Sequence, residues 1–160
     1  MSIYNSPHSM LKRVQVIADY QFGWGAGAAL FPEGCAFIFS RTGRIRQVML
    51  ESRHLATIRA GDGRLTIGFE GALRIHQVIA PPVYRVLVSR DVASVIAEGK
   101  NVFARHVVSA DPVIQAGDEV MVVAFGDELV ATGTAVLSGP EILAFNYGLA
   151  VKVREGKPTP

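Results

Sequence analysis

The sequence predicts an α+β fold in which an N-terminal helix, a β-meander and a second helix are followed by a small mixed β-barrel. Apolar residues recur at helical spacing in two segments, while short apolar runs elsewhere alternate with Gly, Asp, Asn and Ser. Pro81-Pro82 breaks the chain near its middle. At 160 residues and 49% apolar, the chain can bury a core without disulfide or metal staples, as one medium domain or two small ones.

Residues 8–21 place Met10, Leu11, Val14, Ile17 and Ala18 on one face, with Ser9 as the expected N-cap. The glycine run 23–27 follows a helix rather than a strand and lacks the rest of a dinucleotide-binding fingerprint, so it is read as a tight turn. Trp24, between two of those glycines, is expected to be a buried plug over the helix rather than an exposed stacking platform. From Ala36 the period shortens. AFIFS, IRQVML, LATIRA and RLTIGF read as four strands, with RTGR, ESRH and Gly61-Asp62-Gly63 as the turns between them. Residues 70–79 return to helical spacing, and that helix must stop before the double proline. The boundary expected there gives domains 1–82 and 83–160.

In the second half VYRVLVS reads as a strand, and Asp91 opens a short helix that Gly99 ends. VFARHVV, EVMVVAF, LVATGTAVLS and GLAVKVR follow as strands, with turns at Asp111-Pro112, Gly117-Asp118 and Gly126-Asp127. PEILAFN interrupts them with a helical turn or two. Many short strands and one early helix favour closure, which removes exposed strand edges.

One cysteine, Cys35, and four scattered histidines offer no metal-ligand spacing, so no metal or cofactor is expected and a reduced, cytoplasmic protein is anticipated. The start, Met1 to Pro7, is polar and reads as no signal peptide, and no apolar run is long enough for a membrane span. The net charge of +2 is unevenly spread: residues 1–83 carry nine Lys and Arg against five Asp and Glu, residues 84–160 seven against nine. The first half therefore carries the positive field that nucleic acid would meet.

EGKNVFARHVV (98–108), ADPVIQAGDEVMVV (110–123) and ATGTAVLSGPEILAFNYGLAVKVR (131–154) resemble a PUA domain, the β pseudo-barrel of RNA-modifying enzymes. ADYQFGWGAGAALFP (18–32), SRTGRIRQV (40–48) and IRAGDGRLTI (58–67) resemble the domain that precedes PUA in archaeosine tRNA-guanine transglycosylases. The resemblance implies RNA binding, with tRNA as the expected partner through its acceptor stem and its D-arm. That family works with catalytic aspartates in a large barrel and a zinc held by cysteines and a histidine. This chain has neither the length for that barrel nor a second cysteine. The implied role is therefore non-catalytic, beside a separately encoded transglycosylase chain. The alternatives are a stand-alone PUA protein linked to translation and, least supported, an enzyme in its own right.

Carried over position by position, the resemblance implies RNA contact at Gly99, Lys100, Asn101, Val102, Phe103 and Arg105, and at Lys152 and Arg154 on the last strand. Glycine admits phosphate to the backbone, basic groups neutralise it, and an exposed ring supports a base. The competing reading makes Val102 and Phe103 core and leaves Lys152 and Arg154 on a solvent face. Arg41, Arg44 and Arg46 cluster at the first hairpin, where strand alternation puts Arg44 and Arg46 on one face and Ile45 inward, with Arg53 and His54 in the next turn. Asp118, Glu119, Asp127 and Glu128 fall in expected hairpin turns and receive no acid-base role. Arg105 and His106 are neighbours in an expected strand, so one of them should face the core.

Overall fold

A computed structural model describes residues 6–159; the polar start at residues 1–5 lies outside them. The chain separates into two compact units, Met1–Ile79 and Ala80–Pro160.

The first unit opens with α1 (Pro7–Phe22). Its cap is Ser6, not Ser9: the Ser6 hydroxyl accepts from the Ser9 amide at 3.2 Å. Pro7 explains the shift, because proline suits the first helical position, where no amide partner is needed. Leu11, Val14, Ala18 and Phe22 form the buried stripe, each large apolar member stabilising the unit by about 1.5–3 kcal/mol. The glycine turn leads into α2 (Ala26–Leu30), which α1 holds through two side chains. Gln15 donates to the Phe31 carbonyl at 2.7 Å, and Asp19 accepts from the Gly27 amide at 2.7 Å. Trp24 is not a plug. It is 96% exposed, because α2 turns back along α1 and fills the space a plug would take with Leu30 and Phe31, both wholly buried.

Strands β1 (Ala36–Phe39), β2 (Ile45–Leu50), β3 (Arg53–Ile58) and β4 (Leu65–Ile67) pair in sequence order as the expected antiparallel meander. The β2–β3 turn is shorter than ESRH. Glu51 and Ser52 alone make it, both at positive φ, so Arg53 and His54 begin β3 instead of lying in the turn. Helix α3 (Phe69–Val78) closes the unit. The outer edge of β4 is covered by Gln21 of α1, whose amide donates to the Leu65 carbonyl at 2.9 Å and accepts from the Leu65 amide at 2.8 Å.

The second unit is a six-stranded pseudo-barrel built from β5 (Arg85–Val88), β6 (Val102–Phe103), β7 (Val107–Ala110), β8 (Glu119–Ala124), β9 (Glu128–Ala135) and β10 (Leu149–Gly156). The order is β6-β10-β9-β8-β5-β7, with β5 and β8 parallel and the other pairs antiparallel. Between β5 and β6 runs α4 (Arg90–Ala97), and between β9 and β10 runs α5 (Gly139–Phe145). Val86, Val102, Ile114, Val122, Ile142 and Val151 are among the core side chains.

VFARHVV is not one strand. Ala104–His106 forms a 3-10 turn between β6 and β7, with Ala104 buried. Arg105 is exposed and His106 half-buried, so strand alternation does not apply and neither side chain enters the core. Two of the turn carboxylates also need correction. Glu119 is the first residue of β8 and only 4% exposed, and Glu128 starts β9. Asp127 does sit in the β8–β9 turn, where its carboxylate accepts from the buried Arg85 guanidinium at 2.7 Å and 3.2 Å.

Candidate nucleic-acid interface

The stretch from Gly99 to Phe103 leaves α4 and enters the barrel beside β10. Gly99 ends the helix, donating to the Ile96 carbonyl at 2.9 Å with φ +105, a conformation only glycine adopts without strain. A side chain at Gly156 would collide with the Ala97 carbonyl, so this second glycine lets the end of β10 abut the end of α4. Asn101 does structural work. Its side-chain carbonyl accepts from the Val153 amide at 2.9 Å, extending the two-residue β6 ladder along β10.

Val102 pairs with Val151 and Phe103 with Leu149. Val102 is wholly buried, so only its main chain is available to a ligand, whereas Phe103 is 44% exposed. The Arg105 guanidinium lies 5.7 Å from the centre of the Phe103 ring, within range of a cation–π contact. Lys100 and Lys152 are both exposed, Lys152 next along β10 to the partner of Val102. Backbone, exposed ring and cations are thus brought together from two segments far apart in sequence.

Arg154 is placed differently. Its guanidinium donates to the buried Glu119 carboxylate at 2.8 Å and to the Thr134 hydroxyl at 2.9 Å. A charge so engaged holds the sheet together and is poorly available to phosphate.

Residues that the sequence did not single out adjoin this edge. The Ala104 amide donates to the Gly148 carbonyl at 2.8 Å, bringing the segment after α5 alongside Phe103. Phe145 and Tyr147 are exposed there, their ring centres 6.2 Å apart. Two aromatics astride Asn146, just before Gly148, were the signal available in the sequence. In the first unit Arg41 and Arg44 are exposed at the β1–β2 tip, where Ser40 accepts from the Arg44 amide through its side chain at 3.2 Å. Arg46 and Ile45 are both half-buried. Among the described residues no group of His, Cys, Asp and Glu is arranged to hold a metal ion, and no helix is long and apolar enough to cross a membrane.

The patch-forming domain C2 of tRNA-guanine transglycosylase matches residues 12–82, and the PUA domain matches residues 84–157. Each half of the chain thus matches one of these two domain models. Across both, the chain is 50% identical over 146 residues to the tRNA-guanine(15) transglycosylase of Pyrococcus abyssi, a match covering 91% of this chain and 25% of the relative. The enzyme of the same name from Thermococcus kodakarensis is 50% identical over 145 residues, with the same shares covered. The C2–PUA chain therefore spans about a quarter of the length of these relatives. A hypothetical protein from Pyrococcus horikoshii OT3 superposes with a TM-score of 0.70 at 20% identity, covering 93% of this chain and 90% of its own. A conserved PUA domain protein from Thermoplasma acidophilum gives 0.65 at 18% identity, covering 96% and 92%. At these identities the likeness of the two structures is one of fold.

Proposed function

We propose that this C2–PUA chain is a non-catalytic tRNA-binding protein, an accessory or split subunit that presents tRNA to a separately encoded guanine transglycosylase in the cytoplasm. The observation that carries the reading is the identity to transglycosylase relatives, which runs through the C2 half as well as the PUA half. The edge formed by Gly99 to Phe103 and β10 supports the choice of ligand. It offers an open glycine, Lys100, Arg105 and Lys152 for phosphates and Phe103 for a base, a combination suited to an RNA end.

In this reading the acceptor end lies along the PUA edge, and the basic C2 half meets the body of the tRNA. Base exchange is left in this reading to the separately encoded transglycosylase chain. The test is purification of the chain from its native source, with scoring of bound tRNA and of a co-purifying transglycosylase-like polypeptide. A guanine-exchange assay on the recombinant chain completes it. Bound tRNA, a catalytic partner and no exchange by the chain alone are the expected results; exchange by the chain alone would overturn the non-catalytic role.

A further inference from the structure

The C2 half carries two adjoining clefts. One, of about 510 Å³, runs along the exposed face of α1, with Val16, Ile17 and Tyr20 on one side and Gly63 and Arg64 of the β3–β4 tip on the other. The second, of about 470 Å³, opens between the two hairpin tips and is bordered by Arg44, Arg46 and Arg59. Asp62 and Gly63 line both, so the β3–β4 tip is their common wall. Toward the start of α1 the floor of Val16 and Ile17 continues, now bordered by Lys12 and Arg13.

Two properties coincide here. The floor is apolar and open, with Val16 60% and Tyr20 94% exposed. The rim is basic: Lys12, Arg13, Arg44, Arg46, Arg59 and Arg64 border these clefts, against the single carboxylate of Asp62. That carboxylate is exposed but already engaged, 3.4 Å from the Arg59 guanidinium and accepting from the Arg64 amide at 3.0 Å. The Gln21–Leu65 pair of hydrogen bonds fixes α1 against the β4 edge, so the trough is built before any ligand arrives.

We propose that the α1 trough and the arginine cleft together hold an unpaired stretch of RNA, with a base stacked on Tyr20 and the backbone following the arginines. The proposal rests on the reading of the chain as an RNA-binding protein and extends it to a second, chemically distinct site. A duplex hides the faces of its bases and would use only the cations, whereas an unpaired strand uses floor and rim at once. A protein partner matching the apolar floor would have to desolvate the same ring of cations, which RNA neutralises directly.

The test uses the full chain with a short fluorescent RNA strand that lacks self-complementarity, and a fully paired hairpin of the same composition. The strand should bind more tightly than the hairpin. Tyr20→Ala should weaken the strand about tenfold and leave the hairpin unchanged, while Tyr20→Phe keeps the affinity, since it keeps the ring. Arg59→Ala should weaken both and make the salt slope shallower by about one unit. Crosslinks from a strand carrying 4-thiouridine should fall on residues 8–24 and 59–64. A neutral Tyr20→Ala, or crosslinks confined to the PUA half, overturns the proposal. If full-length tRNA binds and the strand does not, this inference alone falls; if neither binds, the reading beneath it falls as well.

Discussion

Arg154 and Glu119 form an ion pair over strand β9, the guanidinium of β10 donating at 2.8 Å to a carboxylate on β8 that is 4% exposed. Thr134 on the intervening strand joins both, donating to Glu119 at 2.9 Å and accepting from Arg154 at 2.9 Å. Removal of the arginine leaves the carboxylate buried without its counter-charge. Arg154→Ala is therefore expected to destabilise the chain by roughly 3 kcal/mol in urea unfolding. RNA affinity, measured where the variant is still folded, should change little. A large affinity loss with unchanged stability would return Arg154 to the interface.

Lys152 and Arg105 give the opposite pattern. Both are exposed, and among the described residues Arg105 meets the Phe103 ring and, at 3.2 Å, the ring of His106. Either changed to alanine should leave the melting temperature unaltered, raise the dissociation constant for tRNA several-fold, about 1 kcal/mol, and reduce the salt slope by about one unit. Fluorescence anisotropy across a salt series measures both quantities.

The regular elements were legible because periodicity is a local property. The spacing of Leu11, Val14 and Ala18 reads as a helix, and the four meander strands read from alternation and turn residues, as found. What failed depended on distant partners. VFARHVV looks like one strand, yet Ala104 turns inward to meet Gly148, and nothing local marks that break. The engagement of Arg154 depends on a glutamate 35 residues away, and the exposure of Trp24 depends on where α2 folds back. Within the candidate site, the sequence pointed to Gly99, Phe103 and Lys152, and the fold places Phe103 and Lys152 exposed on neighbouring strands. It did not show that Asn101 would be occupied by Val153, or that Phe145 and Tyr147 would lie on the same edge.

Trp24 offers a direct optical check, being the chain's only tryptophan. At 96% exposure its emission should resemble that of tryptophan free in water, quench readily with iodide or acrylamide, and shift little on unfolding. A blue-shifted, protected emission would restore the buried plug.

The capping box of α5 predicts a pH dependence. The Ser138 amide donates to the Glu141 carboxylate at 2.9 Å, and the Ser138 hydroxyl accepts from the Glu141 amide at 3.3 Å. The backbone bond first, and the serine side chain second, hold the Glu141 carboxyl below its ordinary value. A depressed carboxylate contributes stability above its unfolded-state value, and that contribution is lost as pH falls through the folded one. Ser138→Ala should lower the melting temperature at neutral pH and move the Glu141 titration, followed by NMR, part of the way back up. Below both titration points the stability lost with the charged carboxylate should vanish, and the two proteins should draw closer together.

The final prediction separates the two halves by ligand. If the PUA edge holds the acceptor end, Lys152→Ala and Arg105→Ala should weaken full tRNA and a minimal acceptor-stem mimic by similar factors, because both present the same phosphates there. Arg44 and Arg46 belong to the other unit and border its arginine cleft. The pair Arg44→Ala and Arg46→Ala should therefore weaken full tRNA alone, each by several-fold, roughly 1 kcal/mol, with a salt slope shallower by about one unit per arginine. Competition binding with both RNAs at two salt concentrations separates these outcomes. If the Arg44 and Arg46 variants weaken the acceptor mimic as strongly as the Lys152 and Arg105 variants do, the acceptor end does not follow the PUA edge and the RNA path has to be redrawn through the C2 half.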